Sequence, residues 1–277
     1  MNVENYEYLT EKALPKLGIY EAFNKALENE LKAGQPSFML KATTDFEANK
    51  MEYEFLFKKS ENPNDDRYFL NKVDATIIRP EGDTEKQTFN LYNQTGLNLE
   101  QMHGLMEARF AYREYTVKNN DNTYTKEGAW FYIDRNRPDE NGEFRVKRIK
   151  DNDSSFNLVA ELSKVPLGYM KQEEKTRMMH DLQQGRRVFP FVNMPDGKRE
   201  KGEIVVNPQK GILLYNKEGQ EVKYKKDNGK VVAIDVTQSA KVTAEPKLNG
   251  TTVKLLEKGQ AAAEGKDLKP GGRKKVG

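Results

Sequence analysis

Residues 102–109 read MHGLMEAR, and residues 179–186 read MHDLQQGR, so Met, His, Leu and Arg recur at a constant offset of 77. A third copy lies upstream, because residues 31–38 match residues 182–189 at Leu, Gly and Phe. Because sequence identity between the copies is low, the repeat is inferred mainly from the order of the predicted helices and strands. This internal repetition predicts a structural module that occurs three times.

Each copy lies at the end of a predicted helix and is followed by three predicted strands. The helical pattern stops at Gly34, Ala108 and Gly185, and small residues, glycine above all, suit the left-handed backbone at a helix C-terminus. The clearest strand covers residues 51–57, where Met, Tyr, Phe and Phe alternate with Glu, Glu and Leu. The module is therefore α-β-β-β. Its predicted strands are 38–41, 51–58 and 67–78 in the first copy, 112–117, 130–134 and 144–149 in the second, and 188–192, 203–207 and 212–215 in the third.

The repeats predict an α+β protein with small antiparallel sheets covered by helices. The N-terminal helices and the first module are assigned to residues 1–95, the second module to 96–165 and the third to 166–217. Residues 218–277 are predicted to hold one hairpin, over residues 222–236, and then a flexible basic tail after Gln238.

Local signals also predict the connections between modules. An extra strand is expected over residues 86–93, and Asn98 is the predicted N-cap of a helix over residues 99–109. Residues 154–164 indicate a short helix that stops before a proline. Near the start, Pro15 is expected to separate two helices, because proline disrupts a helix interior.

Composition excludes several classes of protein. The chain of 277 residues contains no cysteine, so disulfides, thiolate metal sites and thiol nucleophiles are ruled out. Its first residues do not read as a secretory signal, and no stretch approaches the ~18 apolar residues of a membrane span. A cytoplasmic location without membrane partners is the expectation.

The basic charge is concentrated at the C-terminal end. The net charge of the chain is +3, whereas residues 251–277 alone carry seven basic and three acidic residues. A basic cluster on a flexible segment can contact phosphate without sequence selectivity, and a solvated charge run with no partner is the alternative. The candidate nucleic-acid contacts of this tail are Lys254, Lys258, Lys266, Lys269, Arg273, Lys274 and Lys275.

Two further candidates lie in the modules. Aromatic and basic residues interleave in residues 128–135 and 144–149, which suggests a stacking platform around Trp130. Aromatic residues on such a strand more often belong to the core, which is the alternative. Arg186, Arg187, Lys198, Arg199 and Lys201 add positive charge to the third module, and Arg186 and Arg187 are candidate nucleic-acid contacts.

The sequence offers no catalytic site. His103 and His180 are the residues that titrate near neutrality, but they occupy equivalent positions of a repeat, which favours a structural role over a catalytic one. Two histidines without a matching third ligand do not make a zinc site, and no phosphate-binding loop, dinucleotide fingerprint or nucleophile elbow occurs. The pairs of glutamates among lysines indicate a solvated charged surface. We therefore expect no enzyme activity, no catalytic residue, no metal and no cofactor.

Residues 17–34, 53–59 with 68–76, and 182–215 resemble an uncharacterised protein family of Bacteroidetes conjugative and other mobile elements. The short C-terminal module of that family also occurs in larger proteins beside topoisomerase- or primase-like domains. The resemblance covers about residues 10–217 and implies a bacterial cytoplasmic protein carried by a mobile element, with neighbours that handle DNA. The family offers no established activity and no catalytic residues to transfer.

Together these features predict a non-enzymatic accessory protein of a mobile genetic element. It would act near DNA processing or transfer through contacts with mobile-element or host proteins and through weak, non-specific binding to DNA. The alternative is an adaptor or inhibitor of a host protein with no nucleic-acid role, and an enzyme with an unfamiliar site is a third class. A continuous basic face would favour DNA, and an exposed apolar patch would favour a protein partner.

Overall fold

Every strand pair in the described part of the chain is antiparallel. The computed structural model describes residues 1–91, 96–140, 143–194, 197–227 and 230–234. The helices are α1 Val3–Tyr8, α2 Leu14–Lys16, α3 Asn24–Ala33, α4 Leu99–Met106, α5 Leu158–Leu162 and α6 Gln172–Gln183. The strands are β1 Ser37–Phe46, β2 Asn49–Lys59, β3 Tyr68–Ile78, β4 Thr84–Asn90, β5 Ala111–Lys118, β6 Tyr124–Asp134, β7 Arg145–Lys150, β8 Phe191–Asn193, β9 Arg199–Lys201, β10 Glu203–Asn207, β11 Gly211–Tyr215, β12 Lys223–Asp227 and β13 Lys230–Ile234. The predicted α+β class is confirmed.

The first module is a helix followed by a four-stranded meander. Helix α3 ends at Gly34, whose φ of 70° is left-handed, and strands β1 to β4 lie side by side in chain order. On β2 the alternating apolar residues Met51, Tyr53 and Phe55 are buried, as their spacing predicts. Strand β4 confirms the predicted extra strand up to Asn90.

The second module repeats this order with three strands. Asn98 caps α4 by accepting a hydrogen bond from the backbone N–H of Gln101 at 2.8 Å, and the Gln101 side chain accepts one from the Asn98 N–H at 3.1 Å. The predicted N-cap is therefore confirmed. The helix ends at Met106, three residues earlier than predicted, because Ala108 adopts a left-handed backbone with φ of 58°. Strands β5, β6 and β7 follow in chain order.

The third module follows the same order in a shorter form. Helix α6 is followed by Gly185, which is left-handed with φ of 75°. Val188 then pairs with Ile204 in the same register that pairs β8 with β9, so residues 188–193 and 199–204 form one hairpin. Strand β10 continues this hairpin and pairs with β11. The predicted order of one helix and three antiparallel strands is thus found in all three modules.

Two local predictions were wrong in detail. Two helical runs are present, over residues 3–16 and 21–33, but the first includes Pro15 and the break falls at Gly18, which is left-handed with φ of 88°. The first run contains a π-helical turn at Leu9–Ala13, which ends two residues before Pro15. Proline has no N–H and would clash with the carbonyl four residues earlier in a regular α-helix. The short helix predicted over residues 154–164 is confined to α5, since Asn157 caps its first turn.

The hydrophobic core consists of two clusters on the two faces of one sheet. The first cluster includes Phe55 from the first module and Met102 and Phe131 from the second. The second cluster joins Trp130 to residues of the third module, among them Leu182. Because Phe131 and Trp130 are neighbours on β6, their side chains point to opposite faces. The sheet β5-β6-β7 therefore belongs to both cores, and the modules are repeats within one compact unit of residues 1–239.

The C-terminal hairpin is present where the sequence places it. Strand β12 pairs with β13 from Lys223 opposite Ile234 to Asp227 opposite Lys230. The seven basic residues of the predicted tail lie outside the described residues. Within the described residues, no helix is both long and apolar enough to cross a membrane.

Candidate functional site

Trp130 does not form a stacking platform. Its side chain is 4% exposed and lies in the second core. The ring meets Phe156 edge-on at 5.5 Å between centroids, and Tyr112 lies 5.2 Å away. A base cannot reach either face of a ring enclosed in this way, so the candidate role of Trp130 in nucleic-acid binding is wrong. The alternative reading, a core aromatic residue, is the correct one.

Arg186 joins the second module to the third. Its guanidinium donates two hydrogen bonds to the Glu100 carboxylate of α4, at 2.5 and 2.7 Å, and a third to Asp181 at 2.5 Å. These carboxylates raise the pKa of Arg186 above its ordinary value. Two carboxylates satisfy the guanidinium, so a phosphate would have to displace them. Arg186 is therefore better explained as a link between modules than as a phosphate contact.

Arg187 contacts both a carboxylate and an aromatic ring. Its guanidinium forms a two-pronged hydrogen-bonded pair with Glu203, at 2.7 Å for both bonds. It also lies 5.3 Å from the centroid of the Phe189 ring, within the range of a cation–π interaction. About half of the Arg187 side chain is exposed, so Arg187 borders the exposed surface of the third module.

That surface is the outer face of the hairpin formed by residues 188–193 and 199–204, here called the hairpin face. Phe189 and Phe191 are 49% and 46% exposed. Pro190, which lies between them in the chain, and Val192, which follows Phe191, are buried. Because successive side chains on a strand point to opposite sides, one side of the hairpin packs on the core and the other holds two phenyl rings in solvent.

Two cations accompany these rings on the neighbouring strand. Lys201 lies directly opposite Phe191 in the ladder, with its Nζ 5.9 Å from the ring centroid. The Arg199 guanidinium lies 5.0 Å from the same centroid. Neither cation forms an ion pair with a carboxylate in the ranges that the structure describes. The positive charge at Phe191 is therefore available to a ligand.

Arg199 lies close to Gly168 and Tyr169 at the edge of the hairpin face. The Gly168 N–H donates to the carbonyl of Phe191 at 2.8 Å, so this residue lies alongside the strand. A β-carbon at position 168 would come within 2.7 Å of the Arg199 Nε. The Arg199 Nη2 also donates to the carbonyl of Tyr169 at 3.3 Å, and the Tyr169 side chain is 85% exposed. Arg199 thus contacts residues 168 and 169 as well as the Phe191 ring.

A different exposed phenylalanine shows what distinguishes this face. Phe69 in the first module is 44% exposed and has the Arg67 guanidinium 5.7 Å from its ring centroid. Asp65 neutralises that arginine through two hydrogen bonds of 2.8 Å, and Arg67 in turn holds the pKa of Asp65 well below its ordinary value. Phe69 is a single ring beside a neutralised cation, so it serves as a natural control for Phe189 and Phe191.

A second concave feature is an open groove of about 790 Å³ between β4 and β7. Arg148 lies 5.0 Å from the centroid of the Tyr115 ring in this groove. Lys150 pairs with Glu127 at 3.1 Å, and Glu143 lines the same groove. The groove therefore mixes charges of both signs, and its Tyr115 ring is buried, whereas Phe189 and Phe191 are about half exposed.

The two histidines have unlike environments. His103 is buried, its ring stacks on Phe46 at 5.2 Å between centroids, and its Nε2 lies 3.1 Å from the Asn49 Nδ2. Burial lowers the pKa of His103 below its ordinary value of about 6.5. His180 is exposed beside Asp181, with Nδ1 3.7 Å from the carboxylate. The repeated positions therefore do not come together in one site.

The glutamate pairs lie on the surface as the sequence predicts. Glu54 pairs with Lys41 at 2.5 Å and Glu52 with Lys50 at 2.8 Å. The Lys41 ammonium lowers the pKa of Glu54 through a hydrogen bond and its charge. Across the described ranges no group of three or more His, Asp or Glu side chains gathers in a way that could hold a metal ion.

Comparison with protein-family models, with curated proteins and with solved structures gives no match to this chain in any of the three. The function must therefore be argued from the residues themselves. The hairpin face is the site that sequence reasoning missed, although the positive charge of its module was noted. The missed signal is the alternation in residues 187–192, in which Phe189 and Phe191 share one face of a strand.

Proposed function

We propose that this chain is a non-enzymatic nucleic-acid-binding accessory protein that acts near DNA processing or transfer on a mobile genetic element. The hairpin face carries this proposal. It combines two half-exposed phenyl rings on one strand with two cations on the next that no carboxylate of the described residues neutralises. Aromatic rings stack on bases, and basic side chains contact phosphates.

The hairpin face is not explained by folding alone. The buried residues Pro190 and Val192 already anchor the strand to the core, so the fold does not require large apolar rings on the opposite side. Exposed apolar side chains that cluster beside charge are typical of interaction surfaces. The resemblance to proteins of mobile elements supports the same context, since the neighbours of that family handle DNA.

The test is to remove the two cations at Phe191. We expect the double substitution Arg199→Gln and Lys201→Gln to weaken binding of the full chain to short oligonucleotides about tenfold at low salt, because each lost phosphate contact contributes up to ~1 kcal/mol. The matched control is Arg186→Gln, which removes a cation that two carboxylates already neutralise and should leave affinity unchanged. Absence of binding by the parent chain to both single-stranded and duplex oligonucleotides would refute the proposal.

The same surface also supports a second candidate, a protein-interaction adaptor. Tyr169, Phe189 and Phe191 are all exposed, and aromatic residues are enriched at protein interfaces. A parent chain that binds no nucleic acid, but that retains a partner from the native host after nuclease treatment through these three residues, would favour this candidate.

A further inference from the structure

We infer that the hairpin face binds single-stranded rather than duplex nucleic acid, with Phe189 and Phe191 as stacking positions for two unpaired bases. This inference rests on the proposed function and names its ligand.

Ring spacing favours an unstacked strand. Phe189 and Phe191 are two residues apart, which on an extended strand places their α-carbons about 6.7 Å apart. Neighbouring bases in a stacked helix are about 3.4 Å apart. Bases that stack on both rings must therefore be separated to about twice their helical spacing. A duplex also hides its base faces and shows only base edges in its grooves.

The rings are held at this spacing before any ligand arrives. Pro190 and Val192 are buried beneath the strand, and Phe191 is fixed in the ladder opposite Lys201. On the other side, the Gly168 N–H donates a hydrogen bond to the carbonyl of Phe191 at 2.8 Å. A phenylalanine side chain has only two rotatable bonds, so little conformational entropy is lost when a base stacks on it.

The cations lie over the rings, so a base would stack on a ring face that they leave open or on a guanidinium plane. Arg187 lies at Phe189, and Arg199 and Lys201 lie at Phe191. A base on either ring would bring its own phosphate next to positive charge, and a guanidinium plane can itself extend the stacking surface. Since Glu203 neutralises Arg187, attraction for phosphate is strongest at the Phe191 end.

The experiment compares ligands that share charge but differ in their bases. The full chain is titrated with a DNA strand, an RNA strand of the same sequence, the corresponding duplex, and an abasic DNA strand of equal length. We expect at least tenfold tighter binding to the base-containing single strands than to the duplex or the abasic strand. Preference for DNA or for RNA would show whether the 2′-hydroxyl is read, and either preference supports single-strand binding.

Substitutions then locate the stacking. The double variant Phe189→Leu and Phe191→Leu keeps apolar bulk but removes both rings, and should lower single-strand affinity about tenfold to hundredfold while leaving duplex affinity and the salt dependence unchanged. The double variant Phe189→Tyr and Phe191→Tyr should bind like the parent. Phe69→Leu is the matched control and should have no effect, and the thermal unfolding of each variant verifies its fold.

The outcomes separate this inference from the function on which it rests. Equal affinity of the parent chain for single strand and duplex, or for abasic and base-containing strands, would overturn single-strand stacking and leave nucleic-acid binding intact. A Leu double variant that binds like the parent would overturn the assignment to these rings. If the parent binds none of the four ligands, the proposed function itself fails. The abasic comparison uses the parent chain, so it holds even if a variant misfolds.

Discussion

Gly104 of α4 lies directly against the backbone of Gly185, the left-handed residue after α6. A β-carbon at position 104 would be 2.7 Å from the Gly185 carbonyl oxygen. Two side-chain contacts flank this approach, between Arg186 and Glu100 at 2.5 Å and between Asn98 and Gln184 at 2.9 Å. The second and third modules are thus joined where the helix of one meets the helix end of the next.

Gly104→Ala should destabilise the protein by about 1–3 kcal/mol, because the added methyl group forces the two backbones apart. The loss would occur although alanine has a higher helix propensity than glycine. Denaturant unfolding monitored by circular dichroism gives the free energy of unfolding. Gly82→Ala is the comparison, since its β-carbon meets no atom within 4 Å and only its positive φ costs energy. A Gly104→Ala variant as stable as the parent would contradict the tight approach.

Ala108→Gly should stabilise the protein by about 0.5–1 kcal/mol. Ala108 ends α4 in the left-handed region with φ of 58°, where a β-carbon is unfavourable and glycine is free of strain. The opposite change is expected at Ala33→Gly, which replaces the last helical residue of α3 and should destabilise by a similar amount. Both values come from the shift in the midpoint of urea unfolding. A loss of stability in the Ala108→Gly variant would contradict the left-handed backbone of Ala108.

Stability should fall as the pH is lowered from 7.5 to 5.5 because of His103. Burial depresses the pKa of His103 in the folded state, so the unfolded chain binds the proton more readily and acid favours unfolding. The contribution is fully present above the unfolded pKa of about 6.5 and is lost as the pH falls toward the folded pKa. Unfolding is measured at several pH values for the parent, His103→Gln and His180→Gln. A parent-like pH profile of His103→Gln would exclude this residue as the cause, and His180→Gln should keep the profile of the parent.

Truncation after Gln238 should reduce the salt dependence of nucleic-acid binding without removing the preference for single strands. The basic tail, from Lys254 to Lys275, contacts phosphate if it acts as the sequence predicts. Each phosphate neutralised on a single strand changes the slope of log affinity against log salt by roughly −0.7, so loss of about three to five contacts should flatten the slope by about 2 to 3.5. Titrations of both chains at several salt concentrations measure it. Equal slopes would show that the tail makes no phosphate contact.

Local sequence determined most of the fold. The ends of all three module helices were predicted from Gly34, Ala108 and Gly185, and each has the left-handed backbone expected there. The alternating pattern of residues 51–57 and the cap at Asn98 were equally informative. These signals are reliable because a cap, a turn or an alternating strand involves residues that are close in the chain.

The sequence by itself thus determined the repeated helix-and-strand order, the helix ends and the paired glutamates of the surface. Only the tertiary structure decided which aromatic residues reach solvent. Trp130 and Phe191 both lie on strands with apolar residues on either face, and alternation alone cannot say which face is covered. The sheet that holds Trp130 is enclosed between two cores, whereas α6 and its neighbours cover only one side of the hairpin. Whether a strand face is buried depends on residues that are distant in the chain and pack against it. For this reason the tertiary structure places Trp130 in a core and leaves Phe189 and Phe191 on the surface.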